Sequence, residues 1–188
     1  GTFEDETCRK NIEIINRQAG HLAVTMDDFR DFFTVTKEKE ETSLEEVVNT
    51  ALMIVRDFTK SSNMTIQTEF NSGEKFSSYP NELKQVLLNL LKNAEDALSE
   101  KGVAEPRITI KTDSSDEEHY FEVCDNAGGV PEEISEKIFH AYFSTKPQKK
   151  GSGLGLYMSR MIIEDHCGGR FSVRNENGGA CFRAAFSK

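Results

Sequence analysis

The segment from Pro80 to Gly102 puts the tightest constraint on what this chain can become. Pro80 suits the first position of a helix, and NELKQVLLNLLKNAEDALSE carries the helix on to Gly102. Val86, Leu87, Leu88, Leu90, Leu91, Ala94, Ala97 and Leu98 make it apolar enough to lie in a core. Asn89 and Asn93 interrupt that surface four residues apart, so they share one face. Carboxamides taken out of water need partners, and the fold has to bring them to this face. A carboxamide oxygen is a suitable hard ligand for Mg²⁺, which keeps waters and shares phosphate oxygens. The same pair equally suits capping or bridging of nearby backbone.

Three later segments carry chemistry. Asp125-Asn126-Ala127-Gly128-Gly129-Val130-Pro131 follows an apolar strand directly. A carboxylate at a strand end can accept a hydrogen bond from a base amino group, and glycines let backbone pass close to a ring; a plain turn fits as well. Ile138-Phe139-His140-Ala141-Tyr142-Phe143-Ser144-Thr145-Lys146 places aromatics before a hydroxyl-rich, cationic tip. Gly151-Ser152-Gly153-Leu154-Gly155-Leu156 opens a helix, and free backbone N–H groups at such an end favour anions. It does not follow the first strand of a βαβ unit, so a dinucleotide fingerprint fails on context, and no GxxxxGK[ST] is present.

The connecting pattern is mixed. Ser43-Leu44-Glu45-Glu46 is a capping box that opens a helix with Val47, Val48, Ala51, Leu52, Ile54, Val55 and Phe58. Strands are expected at 64–70, 75–79, 107–112 and 119–124, and a closing hairpin at 170–174 and 180–187. A short helix is expected from Pro131 to Phe139, and a longer one from Leu154 to Cys167. Residues 6–40 differ: no Pro, one Gly, and apolar residues at Cys8, Ile12, Ile15, Ala19, Leu22, Met26, Phe29 and Phe33 in steps of 4 and 3. That heptad seam, roughly 50 Å long at 1.5 Å per residue, needs a partner helix. Lys37–Glu41 is the expected hinge. The chain opens on Gly1 inside this pattern, without Met, and reads as a fragment of a longer protein.

Charge excludes several functions. Lys plus Arg number 23 against 32 Asp plus Glu, a net −9, so no nucleic acid and no membrane surface is an expected partner of this segment. Cys8, Cys124, Cys167 and Cys181 make no CxxC pair or zinc spacing, and the expectation is a reduced cytoplasmic chain with structural cysteines.

Taken in order over residues 43–188, the four segments resemble the asparagine, first glycine, phenylalanine and second glycine boxes of the ATP-binding domain of sensor histidine kinases. That domain belongs to the superfamily shared with gyrase, MutL and the ninety-kilodalton heat-shock chaperones. The resemblance implies an α+β fold: a two-layer α/β sandwich with a mixed sheet of about five strands under about three helices, preceded by a long coiled-coil-type helix. It implies ATP and Mg²⁺ as ligands, with Asn93 on Mg²⁺, Asp125 on the adenine amino group and Gly129 lining the base pocket. Lys92, Phe143, Thr145, Gly151, Ser152, Gly153, Leu154 and Gly155 would line the nucleotide, and Lys146 would reach the γ-phosphate. Residues 130–152 would form a flexible lid. Ala127 stands where many members carry Gly. Glu95 and Asp96 stand where many carry a cation, so the phosphate-neutralising cation is open among Lys92, Lys146, Lys149 and Lys150. Asn89 occupies the position of the Glu base in hydrolysing branches; an amide cannot take that proton, which disfavours hydrolysis and favours phosphoryl transfer.

None of His21, His119, His140 and His166 has the context of a phospho-acceptor, namely an acidic residue next and Pro a few positions on. The resemblance therefore divides the chain into 1–41, the second dimerisation helix, and 42–188, the catalytic domain. It implies a homodimer through the N-terminal helix, a phospho-acceptor helix upstream, and a response-regulator receiver domain as partner. A superfamily ATPase doing conformational work and a non-catalytic nucleotide-gated dimerisation module are the competing readings.

Overall fold

A computed structural model describes residues 39–59, 64–146 and 152–188. Residues 6–38 of the helix expected over 6–40 lie outside the described residues, as do Lys149, Lys150 and Gly151. Strand β1 (Glu40–Ser43) leads into helix α1 (Leu44–Thr59), then β2 (Thr65–Phe70), β3 (Lys75–Ser78) and α2 (Pro80–Glu100). Strands β4 (Arg107–Ser114) and β5 (Glu118–Asp125) follow. After two 3₁₀ turns come α3 (Gly155–Met161), a π turn (Ile162–His166), and β6 (Arg170–Glu176) with β7 (Gly179–Ser187).

Local chemistry sets these boundaries. Ser43 Oγ accepts from Glu46 N at 3.2 Å while Glu46 Oε2 accepts from Ser43 N at 3.2 Å, so the capping box is formed reciprocally. Pro80 begins α2, and Leu83, Val86, Leu87, Leu90, Leu91, Ala94 and Leu98 bury one stripe of it. Asn177 (φ 48°) and Gly178 (φ 77°) turn β6 into β7 with two left-handed residues, the twist a two-residue hairpin needs.

The main sheet runs β2-β4-β5-β7-β6, with β2 and β4 parallel and the other pairs antiparallel. One face carries Ile108, Ile110, Phe121, Val123, Phe171, Phe182, Ala184 and Phe186 into a single core with the buried sides of α1 and α2 and with Ile162 and Ile163. The expected α+β sandwich with a five-stranded mixed sheet is the observed one. Among the described residues no helix is long and apolar enough to cross a membrane.

Four features depart from expectation. Glu40 and Glu41, placed in the hinge, instead pair with Ser78 and Ser77, making β1 and β3 a separate two-stranded sheet that buries Thr42 and Ser43. The helix expected from Pro131 is two 3₁₀ turns, Glu132–Ile134 and Lys137–Phe139. Between them Ser135 Oγ donates back to the Glu132 carbonyl at 2.9 Å, and such local bonds compete with the helix ladder. The helix ending at Cys167 widens into a π turn after Met161, with consecutive Ile162 and Ile163 both buried. Finally, Cys124 and Cys181 are directly opposed on β5 and β7 and form a disulfide, so the fully reduced set is not what the structure shows. Cys167 stays free, and burial pushes its thiol up to about 12, away from thiolate chemistry.

The other sheet face is polar and paired. Arg174 makes two hydrogen bonds to Glu122, at 2.8 and 3.1 Å, and Arg183 bridges Glu122 and Glu118. Arg183 also stacks 3.5 Å over the Tyr120 ring. Burial alone would raise the Glu122 carboxyl, but the two guanidiniums outweigh it and hold it below its ordinary value; Glu118 is lowered chiefly by Arg183. A carboxylate with a depressed folded pKa stabilises above its unfolded value and loses that contribution as pH falls. We expect unfolding free energy from urea titrations to drop as pH falls from about 5 to about 3, and to drop less steeply in Glu122→Gln. Equal slopes would refute this role.

Candidate functional site

The two carboxamides of α2 find different partners. Asn89 Nδ2 donates to Ser159 Oγ on α3 at 2.8 Å, and Ser159 is buried. Its Oδ1 packs against Gly155, one turn earlier on α3, where a Cβ would overlap it. Asn89 thus joins the asparagine segment to the second glycine segment, and Gly155 is a close-approach residue of that contact. Asn93, the next turn along, has its Oδ1 3.4 Å from Lys146 Nζ. Lys146 comes from the end of the aromatic segment, 53 residues away, and its principal bond is to Asp96 Oδ2 at 2.8 Å.

Lys92, a candidate for the phosphates, is engaged along its own helix, 3.0 Å from Glu95 and 3.1 Å from Asp96. The hydrogen bond to Glu95 is the main reason its ammonium titrates above the ordinary value. Burial works to raise Asp96, yet the bonds and charges of Lys146 and Lys92 overcome it, and the carboxyl sits below its ordinary value.

Asp125 ends β5 with Oδ1 accepting from Ala127 N at 2.8 Å and Ala180 N at 3.2 Å. No bond to its Oδ2 is formed among the described residues. Gly128 (φ 85°) and Gly129 (φ 76°) both take the left-handed conformation, and Gly128 N donates to Gly178 O at 2.7 Å. Asn175 on β6 clamps this loop: its Oδ1 accepts from Val130 N and its Nδ2 donates to Val130 O, both at 2.8 Å. Asn126 holds the other side, accepting from Arg107 N and donating to Glu105 O, both at 2.9 Å. Ala127, the departure from Gly, puts its methyl into the core at 3% exposure, so the substitution is accommodated.

The aromatic segment is pinned at one end. Phe139 is buried, edge-on to Phe171 and Phe182 with ring centroids at 5.4 and 6.4 Å, and Arg160 lies 5.3 Å over its face. Phe143 is half-buried and Thr145 exposed. Gly153 (φ 69°) lies against the backbone of Tyr142 and Phe143, where a Cβ would come within 2.7 Å of the Tyr142 carbonyl carbon. Leu154 is buried. Ser152 Oγ accepts from Leu154 N at 3.4 Å.

The structure therefore gathers Asn89, Asn93, Lys146 and Gly155 along one edge of α2 and puts Asp125 and Gly129 at the end of β5. Asn175 and Asp96 were not singled out as site residues. Asn175 falls between the expected hairpin strands 170–174 and 180–187, and Asp96 reads as a departure; only the placement of β6 and of the aromatic segment reveals their contacts.

Residues 78–188 match the model of the histidine kinase-, DNA gyrase B-, and HSP90-like ATPase family, and the chain belongs to that family. The described part has the fold of a histidine kinase catalytic domain. It superposes on the catalytic domain of histidine kinase ThkA with a TM-score of 0.72 at 30% identity, covering 80% of this chain and 96% of that one. A structure of ThkA in complex with response regulator protein TrrA matches over 90% of this chain and 49% of that chain, with TM-score 0.70 and 25% identity. The two-component sensor PprA of Pseudomonas aeruginosa is 38% identical over 104 residues, 54% of this chain. This chain spans 11% of that relative's length.

The Asn89–Gly155 contact makes a direct prediction. Gly155→Ala should lower the melting temperature by several degrees, as a cost of about 1–3 kcal/mol implies. Adding Asn89→Ala should cost less in that background than in the wild type. Strict additivity in the double-mutant cycle would show that the two residues do not share the contact.

Proposed function

We propose that residues 42–188 bind Mg²⁺-ATP and pass its γ-phosphoryl to a histidine on a helix upstream of this chain, for relay to a response-regulator aspartate. Residues 1–41 would be the second dimerisation helix of a homodimer, and the whole would work on the cytoplasmic side. The observation that carries the reading is the convergence at Asn93. A hard carboxamide oxygen and a mobile-stemmed cation, Lys146, meet at 3.4 Å beside the glycine segment that opens α3.

The donor set fits Mg²⁺. Asn93 Oδ1 already faces a positive charge, and oxygen ligands of this kind, completed by water and phosphate, are what the ion takes. When bound, Mg²⁺ would supply charge neutralisation at the phosphates. The chain's own residues do the rest. Asp125 Oδ2 is oriented by the two backbone bonds on Oδ1 and can accept from the adenine amino group. Gly129, whose Cβ position is filled by the Asn175 carboxamide, would offer the base bare backbone. Thr145 and the backbone of residues 152–155 would line the phosphates, with Phe139 anchoring the aromatic segment and Phe143 flanking it. Lys146 takes the terminal phosphate. Asn89 supplies no base for water, because a neutral amide cannot take the proton; its NH₂ bonds Ser159 and its oxygen packs against Gly155. Catalysis is then positioning and charge stabilisation, and the acceptor has to be an imidazole brought from elsewhere.

The pairing of ThkA with TrrA supports a receiver domain as the downstream partner. The experiment is nucleotide binding by calorimetry. Asn93→Asp and Asp125→Asn should each weaken Mg²⁺-ATP binding about 10-fold or more with the circular dichroism spectrum unchanged. Unchanged affinity in both would sink the reading. Acid-labile phosphate should form only when a helix carrying the acceptor histidine is added in trans, whereas steady ATP turnover without it would favour the hydrolysing branch.

A further inference from the structure

Asp96 stands three residues after Asn93 and points the same way along α2. Its two oxygens hold two different lysines. Oδ1 is 3.1 Å from Lys92 on its own helix, and Oδ2 is 2.8 Å from Lys146 on the aromatic segment. The Lys146–Asp96 pair is mostly withdrawn from solvent, with side-chain exposures of 20% and 29%, so it is less screened than a surface pair. The same ammonium is 3.4 Å from Asn93 Oδ1.

That arrangement has a consequence for a cation bound at Asn93. An ammonium and a divalent ion cannot sit within one contact distance of the same oxygen without strong repulsion, so Lys146 has to leave when metal-nucleotide arrives. Its departure does not strand a bare carboxylate, because Lys92 stays on Asp96, and an unpaired, partly buried charge would be the main cost of breaking the pair. The terminal phosphate offers Lys146 a replacement anion of higher charge.

We propose that Asp96 is a positioning residue that parks the Lys146 ammonium on the cation seat of Asn93 in the nucleotide-free protein, with Lys92 keeping Asp96 neutralised when Lys146 crosses to phosphate. The inference rests on the nucleotide-binding reading above. It explains how a chain of net charge −9 keeps a cation ready for a polyanion: the lysine is held by a carboxylate of the same helix, one turn from where it is needed. Asp96 therefore competes with the terminal phosphate for Lys146. A diphosphate lacks that terminal group and offers weaker exchange, so the competition should show in the preference for ATP over ADP.

The test is a double-mutant cycle on the 188-residue chain, with Mg²⁺-ATP and Mg²⁺-ADP each titrated calorimetrically. Asp96→Asn should tighten ATP binding about 5-fold by releasing Lys146 from its parked state, with a smaller change for ADP. Lys146→Met should erase most of the preference for ATP. In the Lys146→Met background, Asp96→Asn should change ATP affinity less than about 2-fold. A weaker ATP affinity in Asp96→Asn, or the same change in both backgrounds, would overturn the proposal. Thermal melts of each variant separate these effects from misfolding, since loss of structure weakens both nucleotides equally and leaves the ATP-to-ADP ratio unmoved. The underlying reading fails differently: wild-type chain that binds neither nucleotide, or Asn93→Asp without effect, rejects nucleotide binding itself, whereas the positioning role fails with wild-type binding intact.

Discussion

The structure depends on how α2 satisfies two carboxamides without giving up its apolar stripe. Leu83, Val86, Leu87, Leu90, Leu91, Ala94 and Leu98 bury one side of the helix against the sheet. Asn89, Asn93 and Asp96, at spacings of 4 and 3, make a polar edge beside it. Asn89 draws α3 close enough that position 155 has no room for a side chain, and Asn93 with Asp96 draws in the tip of the aromatic segment. Two segments far from α2 in sequence are thereby fixed along one edge of it. Packing alone is non-directional and would leave their relative placement loose; the hydrogen bonds give it direction.

Electrostatics follow the same division. Part of the acidic charge is neutralised on the open sheet face, where Glu118 and Glu122 are interleaved with Arg170, Arg174 and Arg183. Near Asn93 the chain keeps two lysines against Asp96 and Glu95. Local charge is close to balanced there despite the net charge, so an incoming phosphate faces paired groups that can be exchanged rather than a field that repels it.

Much of this was legible in the sequence because it is local. The capping box at Ser43 and Glu46, the Pro80 start and the alternating strands each act within a few residues, and all appear where expected; the closing hairpin is there too, with a connector of two residues, Asn177 and Gly178, in place of the five expected. Asp125 and the left-handed glycines after it are likewise a short-range pattern. What was not legible depends on register between distant strands. Cys124 meets Cys181 only because β5 pairs with β7 in one particular alignment. Asn175 meets Val130 only because the β6–β7 hairpin folds over the loop after β5. Strand β1 exists only because β3 offers it a partner; four residues reading Glu-Glu-Thr-Ser have no strand pattern of their own. Asp96 is the sharpest case, since in sequence it looks like a missing cation and in space it holds one.

That last point bears on how a nucleotide site tolerates change. On the proposed reading, the charge that other members place on the helix after the asparagine box is here delivered from the aromatic segment, 50 residues away, and retained by a carboxylate at the helix position itself. A swap of sign at position 96 is then compensated across the site, and the pair has to be changed together: Asp96→Lys alone would set a third cation beside Lys92 and Lys146, and like charges at that spacing repel by more than an exposed ion pair gains. The asparagine at 89 constrains the chemistry in the complementary way. Its NH₂ is bonded to Ser159 and its oxygen packs against Gly155, so it holds α2 to α3, and a neutral amide is too weak a base to take a proton from water. A site with a movable cation and no base is suited to handing a phosphoryl group to an acceptor that arrives with its own nucleophilic nitrogen.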